Sequence, residues 1–140
     1  MNILFVCRYN RFRSRVAEAY FNQINKNRNI HAASAGLIRG HYPLDKNEVD
    51  AARIKGIDIS GKPKGLSTDL LKKTDLIVIV ADNVPAKIFC YEDYKDYKGK
   101  LLVWRIKDIY DGESKVLIEK RIDEIKRKVE KLVKKLENRR

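Results

Sequence analysis

A run of five aliphatic residues at 76–80 constrains the fold of this chain more than any other segment. Because no polar residue alternates with the apolar ones, a strand here would be buried on both faces, as in parallel sheets that helices cover on both sides. Residues 2–6 form a second short apolar run, and residues 30–34 and 101–104 are also predicted as strands. The pattern therefore predicts a buried parallel sheet.

Segments with helical periodicity separate these strands. Ser14 is predicted to cap the first helix, and Gly56 is predicted to end the second. The predicted helices cover residues 14–24, 45–54, 67–71, 84–90 and 113–138. Strands that alternate with helices in this way favour a single α/β domain over residues 1–140, with three layers and a parallel sheet in the middle.

Composition predicts a soluble cytoplasmic protein. The 140 residues are 44% hydrophobic, which suffices for one core, and the formal charge of +12 favours anionic partners. Abundant Lys, Glu and Ile with a single Met suit a thermophilic source. The first residues do not resemble a signal peptide, and no apolar run is long enough to span a bilayer. Two distant cysteines predict neither a disulfide scaffold nor a zinc site.

The loop after the first predicted strand has the clearest chemical pattern. Cys7 and Arg13 are separated by five residues, and Ser14 follows at the start of a helix. A loop that leads into a helix aims successive backbone N–H groups at one anion. The residues of this segment predicted to bind substrate are Arg8, Tyr9, Asn10, Arg11, Phe12 and Ser14. The guanidinium of Arg13 adds a planar fork for two phosphate oxygens.

This setting predicts that Cys7 is a nucleophile and Arg13 a ligand of the phosphoryl group. A positive field favours the thiolate, and Ser14 can donate a hydrogen bond to the sulfur. Each residue also has an ordinary interpretation, since free cysteines often pack at strand ends and arginines at helix starts are often only solvated. The preceding strand, the following helix and Asn10 within the loop favour the catalytic interpretation.

The sequence resembles the low-molecular-weight protein tyrosine phosphatases over nearly its whole length. The matching segments are ILFVC at 3–7, Asn10, Arg13-Ser14, AEA at 17–19, SAG at 34–36, GID at 56–58 and DLI at 75–77. The resemblance implies a four-stranded parallel sheet flanked by helices. It also implies hydrolysis of phosphotyrosine through a phosphocysteine intermediate, with no metal and no cofactor.

The resemblance further implies a general acid in the stretch DIYD at 108–111. Asp108 aligns with the family's acid and Tyr110 with an aromatic wall for the substrate ring, while Ile109 replaces the family's proline. Asp111 is the alternative acid, or both acids are ordinary loop residues. Leu37 is placed near the other wall of the pocket, which would then be aliphatic.

Besides Ile109, and Tyr9 where the family usually has glycine, three positions depart from the family pattern. Phe12 stands where a second cysteine often protects the nucleophile, and Cys90, which is expected to pack in the core, is the only other thiol. Gly61 stands where a histidine often supports the loop asparagine, so Ser34 is expected to support Asn10, alone or with another group. Arg11 adds a charge that could attract acidic peptides or simply face solvent.

Four rival functions remain open. An arsenate reductase on the same fold needs further cysteines, and Ala81 stands near where one is expected. A phosphoarginine phosphatase would place a guanidinium beside Arg11. A nucleic-acid-binding module would use the basic stretch at 126–135, but interleaved glutamates indicate a solvated helix face. A binding module with an inactive site is disfavoured because the catalytic set is present. The expected partners are phosphotyrosine proteins or aryl phosphates, with no membrane and no specific nucleic acid.

Overall fold

Four strands and four α-helices alternate along the described part of the chain. The computed structural model describes residues 1–38, 40, 43–90, 97, 99–109 and 114–138, the side chain of Cys90 excepted. The strands are β1 (Asn2–Cys7), β2 (His31–Gly36), β3 (Leu76–Val80) and β4 (Lys100–Trp104). The helices are α1 (Arg13–Ile24), α2 (Lys46–Ile54), α3 (Thr68–Lys72) and α4 (Lys115–Glu137), with a 3₁₀ helix at Ala86–Cys90.

The strands form one parallel sheet in the order β2-β1-β3-β4. Val6 at the end of β1 lies opposite Ala35 on one side and Ile79 on the other. The chain leaves β1 toward one edge of the sheet and later returns to build β3 on the opposite side of β1. The carboxyl ends of β1 and β3 therefore flank the point where strand order reverses, which is where open α/β sheets bind ligands.

Two apolar clusters cover the faces of this sheet and confirm the predicted three layers. On one face, Phe5 of β1 packs with Phe21 of α1 and Trp104 of β4, with ring centroids 5.9 and 5.8 Å from that of Phe5. The buried residues of α2 and α4 join this cluster. On the other face, Ile77 and Ile79 pack against α3 and the 3₁₀ helix. Every residue of β3 is buried, as its uninterrupted apolar run predicts.

The helix ends agree with the sequence at some positions and correct it at one. Asp45 caps α2, Ser67 caps α3, and Gly56 has a φ of 80°. The predicted cap Ser14 is wrong, because α1 already begins at Arg13 and its N-cap is Phe12, with no side-chain cap hydrogen bond. Ser14 lies inside the first turn, where its hydroxyl has other partners. No helix in the described ranges is long and apolar enough to cross a membrane.

Candidate active site

A cavity of about 370 Å³ opens at the carboxyl ends of β1 and β3. Cys7 lies at its base, at the last position of β1, with 2% of its surface exposed. Arg13 and Asp108 line the same cavity, although they are 95 residues apart in sequence. The predicted nucleophile, phosphate ligand and acid are therefore brought together.

The loop between β1 and α1 is held in a narrow bend. Asn10 has a φ of 58°, a left-handed conformation that asparagine tolerates better than most residues. Gly36 lies directly beneath the bend, and a Cβ atom at that position would come within 2.6 Å of the Tyr9 carbonyl carbon. The loop can therefore reach this depth only because residue 36 has no side chain.

A hydrogen-bond network leads from the buried side of the loop to the sulfur. The amide nitrogen of Asn10 donates to Ser14 Oγ at 2.8 Å and to Ser34 Oγ at 2.9 Å. Ser34 in turn donates to Glu18 Oε1 at 2.5 Å. Because Ser14 Oγ accepts from Asn10, its proton is available to Cys7 Sγ, which lies 3.0 Å away. The network can thus supply a hydrogen bond to a thiolate.

The first turn of α1 is electrostatically suited to an anion. Positive charge is normally unfavourable at a helix N-terminus, yet this turn contains Arg13 and Arg15 and no acidic residue. With no side-chain cap on α1, its first N–H groups are left for another acceptor. A bound phosphate would satisfy these donors and balance both charges.

Arg13 is held at the rim by groups from two other loops. Its Nη1 donates to the Ile106 carbonyl at 2.9 Å, and its Nη2 donates to Asn83 Oδ1 at 3.0 Å. The carboxylates of Asp82 and Asp108 lie 3.5 and 3.4 Å from the guanidinium. With 3% of its surface exposed, Arg13 is too constrained to be an ordinary solvated charge.

Asp108 combines a fixed position with access to the cavity. Its Oδ1 accepts the Ile109 N–H at 2.8 Å, and its Oδ2 accepts from Asn83 Nδ2 at 3.3 Å. Its side chain is 28% exposed, so a substrate oxygen can reach it. The alternative acid Asp111 and the predicted wall Tyr110 lie outside the described residues.

The other predicted substrate-binding residues fall into two groups. Arg8, Tyr9, Arg11 and Phe12 all line the cavity. The Arg8 guanidinium stacks on the Tyr9 ring at 5.4 Å, and Arg11 Nε donates to the Pro43 carbonyl at 2.7 Å. Leu37 packs against the cluster on the other face of the sheet and is not among the described residues that line the cavity, so its role as a pocket wall stays a prediction.

Several residues of the site were missed by the sequence analysis. Ile109 and Ile118 line the cavity with aliphatic side chains, and Asn83 connects Arg13 to Asp108. Asn83 lies between the predicted strand at 76–80 and the predicted helix at 84–90, and could have been found there. Lys64 gives no such signal, because it acts through its backbone N–H, which donates to Asn10 Oδ1 at 2.8 Å. No cluster of three or more potential metal ligands occurs among the described residues.

Comparisons with known proteins agree with this geometry. Residues 2–140 match the family model described as low molecular weight phosphotyrosine protein phosphatase. The low molecular weight protein-tyrosine-phosphatase Ptp of Acinetobacter johnsonii is 35% identical over 114 residues, which cover 79% of this chain and 78% of that protein.

Solved structures with other named activities share the fold. A YwlE arginine phosphatase mutant with a phosphorylated active-site serine superposes with a TM-score of 0.83, at 23% identity, over 98% of this chain and 96% of that one. An arsenate reductase from Archaeoglobus fulgidus gives a TM-score of 0.70, at 25% identity, over 94% and 98%. These likenesses support the architecture and leave the substrate open.

Proposed function

We propose that this chain, which belongs to the low molecular weight phosphotyrosine protein phosphatase family, hydrolyses phosphotyrosine in proteins, or aryl phosphates. The reaction proceeds through a phosphocysteine. The observation that carries the proposal is the meeting of Cys7, Arg13 and Asp108 in one cavity, with Ser14 Oγ 3.0 Å from the sulfur. A cytoplasmic location, where thiols stay reduced, is part of the proposal.

Two displacements at phosphorus complete the proposed cycle. The Cys7 thiolate forms a sulfur–phosphorus bond while the bond to the substrate oxygen breaks, and Asp108 gives its proton to that departing oxygen. Water then attacks the phosphocysteine and loses a proton to the Asp108 carboxylate. Cys7 leaves as a thiolate, and inorganic phosphate is released. No step is assigned to a metal or cofactor.

Arg13 would have to change partners when phosphate binds. Its fork now faces carbonyl and carboxylate oxygens of the loops after β3 and β4. A phosphate dianion between these groups and the α1 N-terminus would compete for the guanidinium and displace the Asp108 carboxylate from it. The ion pair between Arg13 and Asp108 is then exchanged for a hydrogen bond that the acid donates to the substrate.

The direct test is steady-state hydrolysis of para-nitrophenyl phosphate with a chelator present. We expect turnover that the chelator does not change, with a bell-shaped pH profile. The rate should fall on both sides of an optimum, because the reaction needs an ionised nucleophile and a protonated acid at the same time. Absence of turnover across the pH range would contradict the proposal and favour a binding module.

Phosphoarginine is the second candidate substrate, because the carboxylates of Asp45, Glu48 and Asp108 line the same cavity and could face a guanidinium. Against it, Arg11 lines the cavity as well, and Asp45 already accepts two backbone N–H groups of α2. Ile109 and Ile118 offer an apolar wall that suits a phenyl ring. Kinetics with matched phosphotyrosine and phosphoarginine peptides distinguish the two candidate substrates. A higher kcat/KM for the phosphoarginine peptide would replace the phosphotyrosine assignment.

Asp108→Asn is expected to slow substrates with poor leaving groups selectively. Loss of a general acid costs about 10²- to 10⁴-fold where the leaving oxygen needs a proton, and far less where it departs as a stable anion. The measurement compares kcat/KM for phenyl phosphate with kcat/KM for dinitrophenyl phosphate, because kcat/KM does not include the hydrolysis of the phosphocysteine that both substrates share.

Asp82→Asn is the matched control for this comparison. Asp82 also lies beside Arg13, 40% exposed, so its loss should affect both substrates by the same factor. Equal slowing of the two substrates by Asp108→Asn would remove Asp108 from the role of acid. Selective slowing by Asp111→Asn instead would transfer that role to Asp111.

A further inference from the structure

Arg15 is a buried cation on the inner side of the phosphate-binding loop. It is 7% exposed and lies one residue beyond Ser14 in the first turn of α1. Its Nε and Nη2 donate to the Ile59 carbonyl at 3.1 and 2.9 Å, and its Nη1 donates to the Lys62 carbonyl at 2.9 Å. Three donors of one side chain therefore fasten a single stretch of backbone to the start of α1.

The burial of this charge is costly, which indicates a specific role. Desolvation lowers the pKa of Arg15, while the charges of Glu18, Cys7 and Asp58 oppose that shift. The Cys7 sulfur is thus among the groups that interact with the buried guanidinium. A neutral residue would avoid the cost of desolvation if it only had to fill this space.

The stretch that Arg15 holds continues directly to the support of the loop. Two residues beyond Lys62, the Lys64 N–H donates to Asn10 Oδ1 at 2.8 Å, and the Lys64 carbonyl accepts the Gly36 N–H at 2.7 Å. Asn10 is fully buried and donates to Ser14, which contacts the sulfur. Arg15 is therefore connected to the nucleophile by hydrogen bonds on both sides of a short stretch of backbone, from Lys62 to Lys64.

Gly61 leaves the space that the guanidinium occupies. A Cβ atom at residue 61 would lie 2.9 Å from Arg15 Nη2, closer than Cβ contacts normally come. The two positions therefore fit each other. Substitution of Gly61 by alanine should push the guanidinium out of place while leaving its charge in the protein.

We propose that Arg15 is a positioning residue, which fixes the 59–64 segment so that Lys64 holds Asn10 and the phosphate-binding loop in the geometry that binds the phosphoryl group. The inference rests on the proposed function for its kinetic readout. It assigns Arg15 no contact with substrate. Arg15 acts through Lys64 and Asn10, so its effect should depend on Asn10.

The test is a double-mutant cycle of Arg15→Ala and Asn10→Ala. Because misplacement of a site by about 1 Å can cost about 10²-fold, each single variant is expected to lower kcat/KM for para-nitrophenyl phosphate by about 10- to 100-fold. If Arg15 acts through Asn10, the double variant loses at least about threefold less than the product of the single losses. A double loss closer to that product, or full activity of Arg15→Ala, overturns the proposal.

A second cycle remains available if Arg15→Ala fails to fold. Gly61→Ala should lower kcat/KM in the parent protein and have no further effect beside Arg15→Lys, whose side chain cannot form the same fork. An equal Gly61→Ala effect in both backgrounds overturns the proposal. Arg121→Ala is the matched control, because Arg121 is a partly buried arginine on α4, 12% exposed, and should leave kcat/KM unchanged.

Anion binding separates failure of this inference from failure of the proposed function. The dissociation constant of inorganic phosphate, measured by calorimetry on the same variants, needs no turnover. If the parent protein hydrolyses no aryl phosphate, the proposed function fails. The double-mutant cycle of Arg15 and Asn10 is then evaluated from the dissociation constants of phosphate. Non-additive losses of affinity support the role of Arg15, and additive ones overturn it.

Discussion

Cys7→Ser is expected to reduce turnover of para-nitrophenyl phosphate by about 10⁴-fold or more, the scale on which loss of a catalytic nucleophile is measured. Serine has nearly the same shape, but its hydroxyl stays protonated where a thiol ionises, so the attacking group is lost. The phosphate ligands, which are the backbone N–H groups of the loop and Arg13, are unchanged. Affinity for inorganic phosphate should therefore remain within a few-fold of the parent protein.

Two measurements check this prediction, steady-state kinetics for turnover and calorimetry for phosphate. Cys90→Ser is the matched control, because it removes the only other thiol of the chain and is expected to retain turnover. Turnover of Cys7→Ser within about 10²-fold of the parent would contradict the role of nucleophile. A loss of that size is also expected when only a general acid or base is removed. Loss of phosphate affinity together with turnover would indicate a collapsed loop instead.

Gly36→Ala is expected to lower kcat/KM by about 10²-fold or more, because a loop misplaced by about 1 Å can cost that much. The added Cβ would lie 2.6 Å from the Tyr9 carbonyl carbon and 2.8 Å from the Asn10 nitrogen. Both are backbone atoms, so no side-chain rotation can relieve the clash, and the loop itself must move. The measurements are kcat/KM and the midpoint of urea unfolding.

Gly56→Ala separates loss of activity from loss of stability in this experiment. Its φ of 80° makes alanine unfavourable, yet no atom lies within 4 Å of the added Cβ. Alanine in a left-handed conformation costs about 1–2 kcal/mol. We therefore expect Gly56→Ala to lower the free energy of unfolding and to keep kcat/KM. Activity of Gly36→Ala within threefold of the parent would show that the loop does not depend on residue 36.

The sheet could be predicted from the sequence because its signals are local. The apolar run of β3 defines a strand buried on both faces, and Asp45 and Ser67 mark helix starts through bonds to residues close by in sequence. The same reasoning predicted the wrong N-cap for α1 at Ser14. A serine before an apolar periodic stretch normally caps a helix, but here its hydroxyl pairs with Asn10 and Cys7, which local patterns do not reveal.

The candidate site was predictable where chemistry is tied to spacing and not where it depends on long-range packing. Cys7 and Arg13 follow from one loop, and Asp108 followed from the family resemblance. Leu37 was predicted near the pocket wall, whereas the structure packs it against the cluster on the other face of the sheet, because the direction of a side chain just past a strand depends on how the chain turns. The contribution of Lys64 is a backbone N–H, which any residue except proline could supply, so its side chain gives no indication.

The separation in sequence of the parts of the site has a consequence for protein synthesis. Cys7 precedes in sequence the groups of Lys64, Asn83 and Ile106 that hold Asn10 and Arg13. During translation the predicted nucleophile is therefore made before the groups that fix its loop. A nascent chain that still lacks those groups would not yet hold the loop in the geometry proposed to bind phosphate esters.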